Sequence, residues 1–120
     1  MDVLIVESNR GLGWLWAEHV RKLGANVVLV QTQAQAEEKL REFDFDVLVV
    51  NLNLDPEAGD ATALADYAGY RRPNVKVVCV TSSGFFSDGS IFEFMPNACA
   101  IIPKSSQPAD LAAVVEYHAR

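Results

Sequence analysis

The sequence predicts a three-layer α/β fold in which a doubly wound parallel sheet lies between helices. Two observations carry this prediction. Short apolar runs alternate with amphipathic segments five times along the 120 residues, which is the (βα)5 pattern of a parallel sheet covered on both faces. In addition, the run over residues 47–50 is apolar, rich in valine and without polar alternation. Such a run is typical of a central strand that is buried above and below.

Length and composition place the chain among ordinary globular proteins. Half of the residues are hydrophobic and 22% are charged, which is globular usage rather than the composition of disorder. We expect residues 1–120 to form a single domain, since this length suffices for one core and not for two. We also expect the two cysteines, Cys79 and Cys99, to be reduced and buried in strands.

The charge distribution limits the classes of partner. Sixteen acidic residues against ten lysines and arginines give a net charge of −6, and no basic run is longer than Arg71-Arg72, so we expect no nucleic-acid partner. The N-terminus lacks a positive signal region, and no apolar run approaches the ~18–20 residues that span a bilayer. These features predict a cytoplasmic protein with no membrane partner.

The first βα unit is predicted from residue 2 to residue 24. Residues 2–6 form a short apolar strand, which ends at Glu7 and Ser8. Residues 9–23 then show helical spacing of apolar side chains, and Gly24 stands at the position of a helix stop. The stripe predicted to face the core comprises Leu12, Leu15, Trp16, Val20 and Leu23.

The second unit opens with a strand over residues 25–30. Thr32 with Gln35 three positions later matches a capping box, which predicts a helix from there through Phe43. The buried strand over residues 46–51 follows. Its last residue is polar, Asn51.

The remaining units follow the same order. We predict a helix over residues 60–71, ended by Pro73, then strands over 75–80 and 99–102 and a last helix over 108–120. Between the two strands there is room for only a short helix, at about residues 90–95. For five such units the default is the flavodoxin-like strand order 2-1-3-4-5.

In this order strands one, three, four and five are neighbours, so polar residues at their carboxyl ends converge on one edge of the sheet. Each has an ordinary interpretation as a turn residue or a surface charge. Together, a carboxylate, an amide, hydroxyls and an ammonium at adjacent strand ends point to one functional cluster. Its members are Glu7, Ser8, Asn51, Thr81 and Lys104.

These residues make the chain resemble the receiver domain of bacterial two-component response regulators over essentially its whole length. That family has an acidic pair after the first strand, a phospho-accepting Asp after the third, Thr or Ser after the fourth and Lys after the fifth. Thr81 and Lys104 match this pattern. The loop over residues 52–59, with Gly59 eight residues beyond the acceptor position, is similar to the family's loop as well.

Two departures decide the chemistry that the resemblance implies. The acceptor position holds Asn51, and the acidic pair is Glu7-Ser8. A neutral amide does not attack a phosphoryl group as a carboxylate does, and Mg²⁺ prefers more than one anionic oxygen ligand. A Glu7–Lys104 salt bridge, or Asn51 bridging both, would satisfy the cluster internally.

The resemblance therefore implies a degenerate receiver that is not phosphorylated, is not an enzyme and needs no metal or cofactor. It would act as a signalling module that binds a protein partner or a second copy of itself. Two alternatives stay open. One is a receiver phosphorylated at another acid such as Asp55. The other is a pocket for a small anionic ligand, with Lys104 and the turn at residues 81–84 as donors.

Two aromatic features lie outside the cluster. Trp14 falls on the polar side of the first helix, where an indole is either an interaction anchor or lies along arginine and lysine stems. Residues 85–95 carry six large apolar side chains, too many for one short helix to bury. They predict a docking or dimer surface, with burial beneath loops as the alternative; the residues proposed for the surface are Phe85, Phe86, Phe92 and Phe94.

Overall fold

The computed structural model describes residues 1–82 and 95–120. Five parallel strands form one sheet in the order β2-β1-β3-β4-β5, as predicted. The strands are β1 (Asp2–Val6), β2 (Asn26–Val30), β3 (Val47–Asn51), β4 (Lys76–Thr81) and β5 (Ala98–Pro103). The helices in the described ranges are α1 (Arg10–Arg21), α2 (Gln33–Glu42), α3 (Ala61–Arg71) and α4 (Pro108–Ala119). None of these helices is long and apolar enough to cross a bilayer.

Helices cover the sheet on both faces, so the core is divided into two layers. In β3, Leu48 and Val50 pack on the side of α2 and α3. Their neighbours Val47 and Val49 pack on the side of α1 and α4. Every residue of β3 is buried, which is the physical reason for its continuous apolar sequence.

Side-chain caps start the first three helices where the sequence predicts them. Asn9 accepts a hydrogen bond from the Leu12 N–H at 3.0 Å, and Asp60 accepts one from the Thr62 N–H at 2.8 Å. Thr32 accepts from the Gln35 N–H at 3.1 Å. The Gln35 side chain accepts in return from the N–H of Gln31, one residue before the cap, at 2.9 Å. These bonds satisfy N–H groups that a helix start otherwise leaves unpaired.

The core-facing stripe of α1 differs from the prediction. Trp16 and Val20 are buried as expected, but Leu15 and Leu23 are 37% and 42% exposed. The other buried residues of the helix are Gly13 and Ala17. A Cβ atom on Gly13 would lie 2.9 Å from Leu29 Cδ1 and 3.2 Å from Glu7 Cβ. Small residues thus let α1 lie close to the sheet, and the contact face is rotated away from the larger leucines.

Helix α2 is attached at both ends to the segment that contains α3. At its start, the Gln33 N–H donates to the Ala58 carbonyl at 2.8 Å, and Gln33 Oε1 accepts from the Asp60 N–H at 2.8 Å. At its end, Arg72 Nε donates to the Leu40 carbonyl at 2.8 Å. Backbone groups that a helix leaves unpaired at its ends are therefore bonded to the neighbouring helical unit.

The two cysteines are both free thiols. Cys79 is buried as expected, with its Sγ 3.6 Å from the Sδ of the fully buried Met95. Desolvation by burial, with a smaller contribution from Cys99, raises the pKa of Cys79 to about 12. Cys99 is only half-buried, contrary to expectation. The short helix predicted at residues 90–95 lies outside the described residues except for Met95, which is not helical.

Candidate functional site

Strand register brings four of the predicted site residues to one edge of the sheet. Val6 pairs with Val50, so Glu7 lies beside Asn51 at the ends of β1 and β3. Asn51 pairs with Val80, the residue before Thr81. The backbone N–H of Lys104 donates to the Thr81 carbonyl at 2.8 Å. The carboxyl ends of β1, β3, β4 and β5 are therefore adjacent.

Glu7 and Asn51 form a buried pair in which each side chain is only 2% exposed. Asn51 Nδ2 donates to Glu7 Oε2 at 2.7 Å. The second carboxylate oxygen, Oε1, accepts from the Asn9 N–H at 2.9 Å. Both oxygens of the acid are thus bonded within the protein. Such charge-assisted bonds are what a buried carboxylate needs to remain stable.

The orientation of the Asn51 amide follows from its two neighbours. Its Oδ1 accepts from the Asn53 backbone N–H at 2.8 Å, while its Nδ2 faces the Glu7 carboxylate. A flipped amide would place two donors together on one side and two acceptors together on the other. The end of β3 therefore presents an N–H group, and no anionic oxygen, to Glu7.

Ser8 holds the loop that follows β3. Its Oγ accepts from the Asp55 backbone N–H at 3.3 Å. The Asp55 side chain turns to its own loop, where Oδ1 accepts from the Glu57 N–H at 3.0 Å. The two residues are therefore brought together through the backbone of Asp55, and its exposed carboxylate caps a turn.

A residue that the sequence analysis missed joins β3 to β4. Asn53 Oδ1 lies 2.9 Å from the Ser82 backbone N, 3.1 Å from Ser82 Oγ and 3.2 Å from Thr81 Oγ1, each of which donates to it. Asn53 is an exposed loop residue, so no apolar pattern marks it. The one available signal was its position two residues beyond Asn51, where asparagine side chains commonly bond nearby backbone.

Lys104 is close to the cluster through its backbone but not through its side chain. The residue is exposed, and within the described residues its ammonium makes no hydrogen bond or ion pair. Among the described residues there is neither a Glu7–Lys104 salt bridge nor an Asn51 side chain bonded to both, since Asn51 bonds to Glu7 and Asn53. The reason is that both Glu7 oxygens already have N–H partners within the protein, while the lysine keeps its hydration.

Comparisons with known proteins identify the fold. No family model matches this sequence, and no curated protein matches it. Among solved structures, the chain is similar to a response regulator receiver domain protein (CheY-like) from Methanospirillum hungatei JF-1, with a TM-score of 0.85 and 22% identity over 98% of this chain and 92% of that one. It is also similar to the non-phosphorylated HemR receiver domain from Leptospira biflexa, with a TM-score of 0.84 and 24% identity over 98% and 93% of the chains. The chain has the receiver-domain fold of two-component response regulators.

A third similarity agrees with this result. The N-terminal domain of a response regulator/sensory box/GGDEF 3-domain protein from Carboxydothermus hydrogenoformans aligns with all of this chain and 94% of its own, with a TM-score of 0.82 and 23% identity. At these identities the likeness is one of fold.

Acidic residues at the strand ends of this receiver fold are sparse. Nowhere in residues 1–82 and 95–120 do three histidine, cysteine or acidic side chains lie close enough together to hold a metal ion. Glu7 is the carboxylate at the centre of the cluster, and its oxygens are bonded to Asn51 and Asn9. Hard cations prefer several anionic or carbonyl oxygens around one point.

The predicted interaction residues lie partly within the described structure. Trp14 is 58% exposed, on the solvent side of α1 as expected. It lines an open cleft together with Arg10, Leu29 and Gln31. Phe85, Phe86, Phe92 and Phe94 lie outside the described residues, and their assignment to a docking surface stays a prediction.

Proposed function

We propose that residues 1–120 form a degenerate receiver domain that acts as a phosphorylation-independent protein-interaction module in two-component signalling. The observation that supports this most directly is the buried 2.7 Å hydrogen bond from Asn51 Nδ2 to Glu7 Oε2. It occupies the strand end where the family resemblance implies a phospho-accepting carboxylate. On the same resemblance we assign the protein to the bacterial cytoplasm.

The chemistry of the amide excludes the family's phosphoryl transfer at this position. An acyl phosphate forms when a carboxylate oxygen attacks phosphorus, whereas an amide is a poor nucleophile at ordinary pH. Asn51 also uses both ends of its amide, since Nδ2 donates to Glu7 and Oδ1 accepts from Asn53. Both polar atoms of this side chain therefore have partners within the protein.

The absence of a second acid beside Glu7 also weakens metal binding. Ser8 stands where the resemblance implies the other carboxylate, and its hydroxyl accepts from the Asp55 N–H. Glu7 is then the single anionic ligand, which is too few for a tight Mg²⁺ site. We therefore propose a domain without cofactor or enzymatic activity, whose effect comes from binding a signalling protein or a second copy.

The alternatives have less support from the geometry. For phosphorylation elsewhere, Asp55 is exposed, but its carboxylate caps the Glu57 N–H within the loop and does not face the strand ends. For an anionic ligand, the N–H and hydroxyl donors of Ser82 already bond to Asn53 Oδ1. An anion would have to displace that carbonyl before it could use them.

A phosphodonor assay tests the proposal. We expect the purified protein, incubated with acetyl phosphate and Mg²⁺, to keep its unmodified mass by intact-protein mass spectrometry. The matched variant Asp55→Asn should likewise keep its own unmodified mass. A gain of one phosphoryl group by the wild type would contradict the proposal, and its loss in Asp55→Asn would assign the acceptor to Asp55.

A further inference from the structure

Asn53 bonds to the ends of two neighbouring strands at once. Its backbone N–H donates to Asn51 Oδ1 at 2.8 Å, and its side-chain Oδ1 accepts from the Ser82 N–H at 2.9 Å. Just before it, the Leu52 N–H donates to the Val80 carbonyl at 2.8 Å. The loop after β3 is thereby hydrogen-bonded along the end of β4.

The orientation of the Asn53 amide is fixed by this arrangement. A backbone N–H only donates, so the side-chain atom that faces the Ser82 N–H must be the carbonyl oxygen. Thr81 Oγ1 and Ser82 Oγ lie 3.2 and 3.1 Å from the same oxygen. A carbonyl oxygen has two lone pairs, which one N–H and one hydroxyl are enough to occupy. Three donors therefore surround an oxygen that needs only two.

One N–H and two hydroxyls around a single point form the donor set that binds an anionic oxygen. In this protein a neutral carbonyl of the chain itself takes that place. This carbonyl is part of the chain and is always present at the site. Asn53 lies on the same loop as Asn51 and is hydrogen-bonded to it.

We propose that Asn53 is a positioning residue whose side-chain carbonyl holds the end of β4, in place of an external oxyanion, so that Thr81 and Ser82 keep one arrangement without phosphorylation. The inference deepens the proposed function and rests on it. A receiver that is never phosphorylated presents one constant surface to its partner, and this bond would fix that surface at β4.

Amide hydrogen exchange of Ser82, measured by NMR on the whole protein without phosphodonor or metal, tests the assignment. We expect measurable protection of the Ser82 N–H in wild type. Asn53→Ala should lower this protection by about fivefold, since a hydrogen bond contributes roughly 1 kcal/mol net and 1.4 kcal/mol corresponds to tenfold. Asn53→Asp should restore it, because a carboxylate oxygen accepts the same donors.

A matched control is available in Asn97, whose Nδ2 donates to the Ala65 carbonyl at 3.2 Å away from this loop. Asn97→Ala should leave Ser82 exchange unchanged. An unprotected Ser82 N–H in wild type, or equal protection in wild type and Asn53→Ala, would overturn the assignment. Phosphorylation of the wild type would overturn the proposed function instead, and it is measured in a separate experiment.

Discussion

The two halves of the strand-end cluster are built differently. At the ends of β1 and β3, Glu7 and Asn51 are buried and bonded to each other. At the ends of β4 and β5, Thr81 bonds across to the β3 loop, while Lys104 is exposed and its ammonium has no partner among the described residues. The half that matches the receiver pattern by residue type combines a buried Thr81 with an exposed lysine.

This difference shows which side chains of the cluster need a partner. A buried carboxylate without a donor costs several kcal/mol, and at Glu7 the Asn51 amide supplies that donor. An exposed lysine keeps its hydration and needs no partner. Thr81 and Lys104 therefore say less about the chemistry of the cluster than Glu7 and Asn51 do.

The largest effect is expected from Asn51→Ala, which leaves Glu7 Oε2 without its buried donor. Leaving a buried acceptor without its donor typically costs ~1–3 kcal/mol, and more when the acceptor is charged, while water entering the vacated space would reduce this. We expect a loss of about 3 kcal/mol in the free energy of unfolding, measured by urea denaturation.

A double-mutant cycle isolates the pair. Glu7→Ala with Asn51→Ala should lose about 1–2 kcal/mol less than the sum of the two single losses. Strictly additive losses would mean that the buried hydrogen bond does not couple the two strands.

The next largest effect is expected from adding acids to the buried half. Asn51→Asp with Ser8→Asp places two new carboxylates beside Glu7, and their mutual repulsion should destabilise the metal-free protein by about 2 kcal/mol. Mg²⁺ should reverse this loss, because the ion binds the folded state. Thermal unfolding with and without MgCl₂ measures both changes.

The two substitutions should act together, since both carboxylates must face one ion. Mg²⁺ binding by the double variant should exceed the combined gains of the single variants, and the double variant should become reactive toward a phosphodonor. A folded double variant that neither binds Mg²⁺ nor reacts would mean that this half does not form a receiver-type site.

A smaller effect should come from Gly13→Ala, which tests how closely α1 packs on the buried half. The added Cβ would meet Leu29 Cδ1 at 2.9 Å and Glu7 Cβ at 3.2 Å. Overpacking costs about 1–3 kcal/mol, and the helix preference of alanine returns up to about 1 kcal/mol. We expect a net loss near 1 kcal/mol by urea denaturation.

Gly11 provides the control, because the nearest atom to its added Cβ is Asn9 Oδ1 at 3.6 Å. Gly11→Ala should be neutral or stabilise by about 0.5 kcal/mol. Equal effects at the two glycines would mean that α1 does not rest tightly on β1 and β2.

The smallest effect is expected at the exposed Lys104. Lys104→Met keeps the aliphatic stem and removes the charge, and it should change the free energy of unfolding by less than about 0.5 kcal/mol. A loss comparable to that of Asn51→Ala would show that the ammonium has a structural partner and would remove the contrast between the halves.

The sheet could be predicted from the sequence because buried strands have an apolar composition. Residues 47–50 are apolar on both faces, and the strand order follows from five βα units. The cap at Thr32 could also be predicted, since it depends on Thr32 and on Gln35 three positions later.

The face of α1 could not be predicted from hydrophobicity alone. Leu15 and Leu23 are more apolar than Gly13 and Ala17, yet the smaller residues face the sheet because they allow closer approach. A steric fit between helix and sheet is a property of the pair of elements. It has no signal in the sequence of either one.

The candidate site was predictable as a set of positions but not as a set of bonds. Strand order places Glu7, Asn51, Thr81 and Lys104 at one edge, independently of the hydrogen bonds that their side chains make. Which groups pair depends on burial and on loop residues. In the sequence Asn53 is an ordinary polar loop residue, and only the structure shows that its side-chain carbonyl accepts from Ser82.

The attachment of α2 at both ends has a consequence for local unfolding. A helix of 10 residues has little stability alone in water, and its end turns normally open first. Here the first turn is bonded through Gln33 and the last through Arg72 to the segment that carries α3. Opening of either end must break contacts with that segment, so the two helices belong to one cooperative unit and α2 cannot fray independently of α3.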